Sequence, residues 1–343
     1  MTPTRISFGE LWEPLNQCNS PTHSRLIEGM HLPKIENSEV GQLIDALRSN
    51  NAESAALRLM SCGVAAVRPL RDFLILGRPS NVFQPRYLAV EALAGLQAKE
   101  LLAEFLRYDK EIEDPAVRLG EEAVKEKAAR ELASWKTEDV FNLLLDLIRR
   151  RPLAGFIEAI ATFKRPEPIP YLIDALGDDL CLPAAEEALK KVYLSAGPFL
   201  ISATLKPYPQ NNNESPSSIR RRRSACRLLA GKGISDEEWP ALASLLDGED
   251  LVLLTVIAGI GVNVGSAKEK KKIANLLLDA LPGIDWSLQD DIENILASCF
   301  EECETRIEAE IKSRSPLAGA KPTWDPFLLA LMRIKRKAEV LKR

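Results

Sequence analysis

Ile169-Pro170-Tyr171-Leu172-Ile173-Asp174-Ala175-Leu176-Gly177, followed by Leu182-Pro183-Ala184-Ala185-Glu186-Glu187-Ala188-Leu189-Lys190-Lys191-Val192, is the stretch on which the fold turns. Proline is tolerated in the first turn of a helix, where the backbone N–H has no partner anyway, so Pro170 can open a leucine-rich helix. Gly177 falls where that run should stop. The second run carries alanine along its apolar face, and small side chains let a neighbouring helix come close. One such helix pair cannot bury its apolar face alone, whereas stacked pairs build a continuous core.

The same unit recurs along the chain. A bulky aliphatic residue, then Ala, then a small residue appears at Leu93-Ala94-Gly95, Leu132-Ala133-Ser134, Ile160-Ala161-Thr162, Leu229-Ala230-Gly231, Ile257-Ala258-Gly259 and Leu296-Ala297-Ser298. Degenerate copies stand at Leu59-Met60-Ser61 and Leu189-Lys190-Lys191. Several are preceded by a proline-marked helix: Val67-Arg68-Pro69-Leu70, Ile169-Pro170, Gly197-Pro198 and Trp239-Pro240. Ser235 with Glu238 and Ser266 with Glu269 have the spacing of capping boxes, and Gly248 and Gly283 also follow helical runs. Leu93, Leu132, Ile160, Leu189, Leu229, Ile257 and Leu296 are expected to occupy equivalent core positions.

Ile169 to Val192, with Pro170, Leu172, Leu176, Asp178, Ala185, Ala188 and Leu189, resembles a HEAT repeat of the short type found in phycobilisome-lyase-like proteins. The resemblance covers roughly residues 38–302 and is one of residue classes; the Asp-x-x-Val-Arg stretch common in such repeats survives only at Asp114 to Arg118. It implies an all-α fold, a right-handed α-solenoid of about eight stacked antiparallel helix pairs. On this reading residues 1–37 are an irregular N-terminal arm and 38–302 the repeat array. Residues 207–218 are a polar loop inserted in that array, and 303–343 a C-terminal helical extension with a basic tail.

Composition agrees with a helical protein rich in Leu, Ala and Ile: 46% hydrophobic, 27% charged and only 6% aromatic. The net charge of −4 argues against a protein that coats nucleic acid or anionic membrane as a whole. The chain begins without the apolar core of a secretory signal, and its most apolar run, 251–264, is too short to cross a bilayer. Six scattered cysteines do not form a disulfide framework, so a reducing, cytoplasmic setting is expected.

Signs of chemistry are weak. Cys18, His23 and His31 match no strong zinc spacing, and Cys299 with Cys303 lacks further ligands. Gly259, Gly261 and Gly265 imitate a dinucleotide loop but end an apolar helical run without a strand before it, so a helix terminus accounts for them. Neither a cofactor nor a metal is expected, and catalysis is not the expected activity.

Charge is distributed more tellingly. Residues 220–232 hold Arg220, Arg221, Arg222, Arg223, Arg227 and Lys232 with no acid. On a helix Arg220, Arg223 and Arg227 fall together opposite Ala225, Leu228 and Leu229. Second helices of HEAT pairs line the concave face, so the resemblance implies that this row looks into the groove. Residues 285–304 hold seven acids and no base, while Arg333, Lys335, Arg336, Lys337, Lys342 and Arg343 make the last helix basic. Such blocks predict a polarised groove, or a basic helix folded back on the acidic repeat. The leading expectation is a non-catalytic scaffold or adaptor that binds a protein partner, with Arg220, Arg223 and Arg227 at the contact. The alternative is nucleic-acid binding in an arginine-lined groove, as in HEAT-like DNA glycosylases. A lyase activity resembling that of the bilin lyases is the third.

Overall fold

Runs of Leu, Ala and Ile become helices here, about half of them started by a proline, Asp or Ser, and the computed structural model describes residues 37–210, 213–315 and 325–342. In chain order come α1 (Asn37–Ala46), α2 (Ala52–Ser61), α3 (Val64–Ile75), α4 (Gln84–Gly95), α5 (Lys99–Arg107) and α6 (Pro115–Leu132). Then follow α7 (Glu138–Arg150), α8 (Ala154–Ala161), α9 (Ile169–Ala175), α10 (Leu182–Lys191), α11 (Tyr193–Leu205) and α12 (Pro216–Lys232). The last are α13 (Trp239–Ala243), α14 (Leu251–Val264), α15 (Ala267–Ala280), α16 (Trp286–Ser298), α17 (Phe300–Arg314) and α18 (Pro326–Leu341). The fold is all-α; one short hairpin, Pro209–Gln210 against Asn213–Glu214, is the sole sheet among the described residues. The arm with Cys18, His23 and His31 lies outside the described residues.

Each odd-numbered helix packs on the even-numbered helix that follows it, from α1 with α2 to α17 with α18. The even helices also pack on one another in sequence without a break, α2 on α4 and so on to α16 on α18. The odd helices form a less regular row: α1, α3 and α5 are in succession, as are α9, α11 and α13, and α15 with α17, but α7 does not pack closely on α5 or α9. The seven signature positions predicted as core are all buried, and so is Leu59. Every copy of the signature lies on an even helix, α2 to α16. The helix α18 adds a ninth pair that the signature misses, because Leu331 stands where the small residue would be.

Small residues work where even helices cross. A Cβ on Gly95 of α4 would lie 2.8 Å from the sulfur of Met60 on α2, and one on Gly155 of α8 would lie 2.4 Å from Glu126 Cβ on α6. Side-chain caps at Asp114, Ser215, Asp250, Ser266, Asp285 and Asp325 start α6, α12, α14, α15, α16 and α18; each such cap contributes about 1 kcal/mol. Only Ser266 with Glu269 completes the reciprocal capping box; Ser235 and Glu238 close a turn before α13.

Several sequence expectations are corrected. Pro170 and Pro240 sit in first turns, but Pro69 and Pro198 lie inside α3 and α11. Gly259 and Gly261 lie within α14 and do not end it; only Gly265 does. At Gly261 an added Cβ would stand 2.3 Å from the buried Trp239 ring and 2.6 Å from Ile273 Cδ1, so close packing demands this glycine. Residues 216–218 of the expected polar loop are the first turn of α12. The rest of the described insertion is tied down: Tyr208 N–H donates to the buried Ser218 Oγ at 2.7 Å, and Ser218 Oγ donates to Glu214 at 2.6 Å. Helix α17 runs through position 302, and its Cys303 and Ile307 belong to the same core as the preceding helices.

Candidate macromolecule-binding face

A helix of the even row has a neighbour on each side and the odd helices beneath, so one outward strip remains. On α12 that strip runs through Arg220, Arg223, Arg227 and Ala230, with Ser224, Ala225, Leu228 and Leu229 buried. On α14 it runs, apart from the helix ends, through Val252, Val256, Gly259 and Asn263. On α16 it holds Ser287, Asp291, Asn294 and Ser298. These strips are adjacent because α12 packs on α14 and α14 on α16. An apolar centre is therefore bordered by arginine on one side and by acidic and amide groups on the other.

The arginine row is not uniform. Arg220 pairs with Asp179 at 2.6 Å and donates to the Gly177 carbonyl at 2.5 Å, fastening α12 to the turn before α10. Arg223 grips Asp250 with two parallel bonds of 3.0 Å, and Asp250 also caps α14. Arg227 is exposed and has no ion pair among the described residues. Of the three residues expected at the contact, the fold brings two into its own helix-to-helix contacts and leaves the third to solvent.

Arg221 and Arg222 turn inward. Arg221 is 3% exposed, lies over the Tyr208 ring at 3.5 Å and donates to the Lys206 carbonyl. Arg222 bonds Glu214 at 2.6 Å and the Thr204 carbonyl at 2.8 Å. Burial pushes the neighbouring Cys226 thiol up to about 12, so it is an inert apolar filler.

Part of the acidic block is likewise taken up internally. Glu293 is buried and accepts from Arg333 at 2.6 to 3.1 Å, with Lys337 at 3.3 Å. Lys337 also bonds Asp290 at 2.6 Å and holds its carboxyl below the ordinary range. Lys335 with Glu308 completes the contact of α18 with α16 and α17. The basic last helix thus folds back on the acidic segment of α16 and α17. Sequence reading did not single out Glu293 from its neighbours, since only the position of α18 distinguishes it.

No cluster of three His, Cys, Asp or Glu side chains suited to a metal ion occurs among the described residues, and none of the described helices is long and apolar enough to cross a membrane. Cys299 and Cys303 do lie together, Cys303 donating to the Cys299 carbonyl at 3.6 Å, and both are buried. The face offers guanidinium, apolar and carboxylate surface.

No known family profile matches the chain, and no curated protein matches it. Two crystal structures of engineered proteins, both from the Northeast Structural Genomics Consortium, are similar at low level. One is 15% identical, with 88% of this chain and 99% of the other covered and a TM-score of 0.32. The other is 17% identical, with 77% and 97% covered and a TM-score of 0.25.

Proposed function

We propose that this chain is a HEAT-type α-solenoid serving as a non-catalytic scaffold or adaptor, and that it holds a protein partner against the outward strips of α12, α14 and α16. The observation that carries this reading is the unbroken succession of even helices, whose adjacent strips give a broad face with an apolar centre and a charged border. Protein interfaces have this anatomy, with a desolvated apolar middle and a polar rim. Arg227 is the available anchor, and arginine is enriched among residues that dominate binding energy. A cytoplasmic setting belongs to the same proposal; the five described cysteines are all free thiols.

Nucleic-acid binding is the weaker reading. It needs a run of free cations along the face, whereas Arg220 and Arg223 are committed to Asp179 and Asp250, and the α14 strip has no cation. A complex built on phosphate contacts would also weaken steeply with salt.

The test is affinity capture with the unaltered chain beside Arg227→Glu and Gly259→Glu. A Cβ at Gly259 meets only Ile295, at 3.6 and 3.8 Å, so this change adds bulk and charge to the strip without disturbing the helix. The expected result is a stoichiometric protein recovered with the unaltered chain and lost with both variants. Recovery of nucleic acid without such a protein, or capture indifferent to both variants, would overturn the proposal.

A further inference from the structure

The break in the odd row has a consequence of its own. Because α7 does not pack closely on α5, a cavity of about 140 Å³ remains beneath α6 and α8, between the C-terminal turns of α5 and α7. Leu106, Ile112, Leu147, Leu153 and Phe156 supply its apolar walls. An apolar cavity of about 150 Å³ in another protein stays dry and takes up a single aromatic ring. The space here therefore suits one ring or one branched aliphatic group.

The mouth is cationic in a chain of negative net charge. Three carboxylates line it, and each is already neutralised. Glu121 is gripped by Arg86 at 2.6 and 2.8 Å and Asp109 by Lys125 at 3.1 Å, while Glu122 lies 2.5 Å from an Arg151 nitrogen although its buried Oε1 accepts no hydrogen bond among the described residues. Lys110 spends its ammonium on the carbonyls of Ile75 and Gly77, and Arg150 pairs with Asp146. Two lining guanidiniums, Arg107 and Arg118, have no ion pair among the described residues. Arg107 ends α5, where a cation is favoured by the helix dipole. Arg118 is in the opposite situation. It sits in the opening turns of α6, where the dipole does not favour a cation, and its side chain is exposed.

We propose that this cavity binds a small monocarboxylate with a compact apolar body. The body lies against Leu106, Leu147 and Phe156, and the carboxylate accepts from Arg118 with Arg107 beside it. A guanidinium fork matches a carboxylate in two parallel bonds. The face proposed for the protein partner lies on the outward side of the even row, so the two sites are independent.

Isothermal titration of the full chain with 4-methylpentanoate and with phenylacetate tests this. Four controls accompany them: 4-methylpentanamide, isoamylamine, inorganic phosphate and the Arg118→Gln variant. For ligands this small a dissociation constant on the order of a millimolar is expected. Arg118→Gln should weaken it about tenfold or more, the worth of a charge-assisted bond. Leu153→Phe, which fills the cavity, should abolish binding, and unchanged far-UV dichroism with retained cooperative melting shows that each variant is folded. The proposal is overturned if neither carboxylate binds by about 20 mM, roughly twentyfold above that constant. It is equally overturned if the neutral amide or the amine binds as well as the acid, if phosphate alone binds as well, or if folded Arg118→Gln binds unchanged.

Discussion

Arg86 and Glu121 form an ion pair whose side chains are only 4% and 8% exposed, and removing either half should be among the most damaging single changes in the chain. Arg86 on α4 meets Glu121 on α6 through bonds of 2.8 and 2.6 Å. Its remaining N–H groups donate to the carbonyls of Phe73 and Leu74 at the end of α3, at 3.0 and 2.7 Å. Glu121→Leu strands a buried cation that keeps two carbonyl partners, at a cost of about 3–5 kcal/mol. Arg86→Met strands a buried carboxylate and also orphans both carbonyls, each adding about 1–3 kcal/mol. It should therefore be the worse of the two. In the double variant no charge is left, and only the orphaned carbonyls weigh against it. That places its loss below that of Arg86→Met and makes the coupling energy about 3 kcal/mol or more. Urea unfolding followed by helical dichroism gives the three losses. Hydrogen exchange should show α3 to α6 opening first, because stacked units can unfold one end at a time. Losses of less than about 1 kcal/mol for both single variants would refute the reasoning, because no buried charge would then have been stranded.

Gly261→Ala should cost about 1–3 kcal/mol through overpacking, since its Cβ would stand 2.3 Å from the Trp239 ring; an unchanged unfolding midpoint would contradict the close approach. Arg223→Glu, facing the capping Asp250, should lower stability by about 1 kcal/mol, whereas Arg227→Glu should leave the melting temperature unchanged. Comparable melting for the two variants would show that the pair with Asp250 does not form in solution. The bond from Lys99 lowers the Asp139 carboxyl from 3.8 to about 2. A depressed carboxylate stabilises the fold above its unfolded value, and that stability is lost as pH falls toward 2. The Asp139→Asn protein should thus lose less melting temperature between pH 4 and pH 2 than the parent. A nuclear magnetic resonance titration of Asp139 with a midpoint near 4 would negate this.

What the amino-acid order determined by itself was local and periodic. Leu93, Leu132, Ile160, Leu189, Leu229, Ile257 and Leu296 could be assigned to the core because apolar side chains repeat in a helical register, and each copy buries its face against the next. The all-helical class follows from the same signal. Helix starts were legible where one side chain decides them, as at Ser266 with Glu269 or Pro170. Tertiary packing decided the rest. Pro198 lies within α11 instead of opening it, and Gly261 is a contact with Trp239, twenty-two residues away along the chain. In the arginine block the helical period put Arg220, Arg223 and Arg227 on one face correctly, but it could not show that Asp179 and Asp250 would meet the first two. Periodicity reports which side of a helix is apolar. Whether a charged side chain on the other side is free for a partner depends on which distant carboxylate the stacking brings within about 3 Å, and only the folded chain determines that.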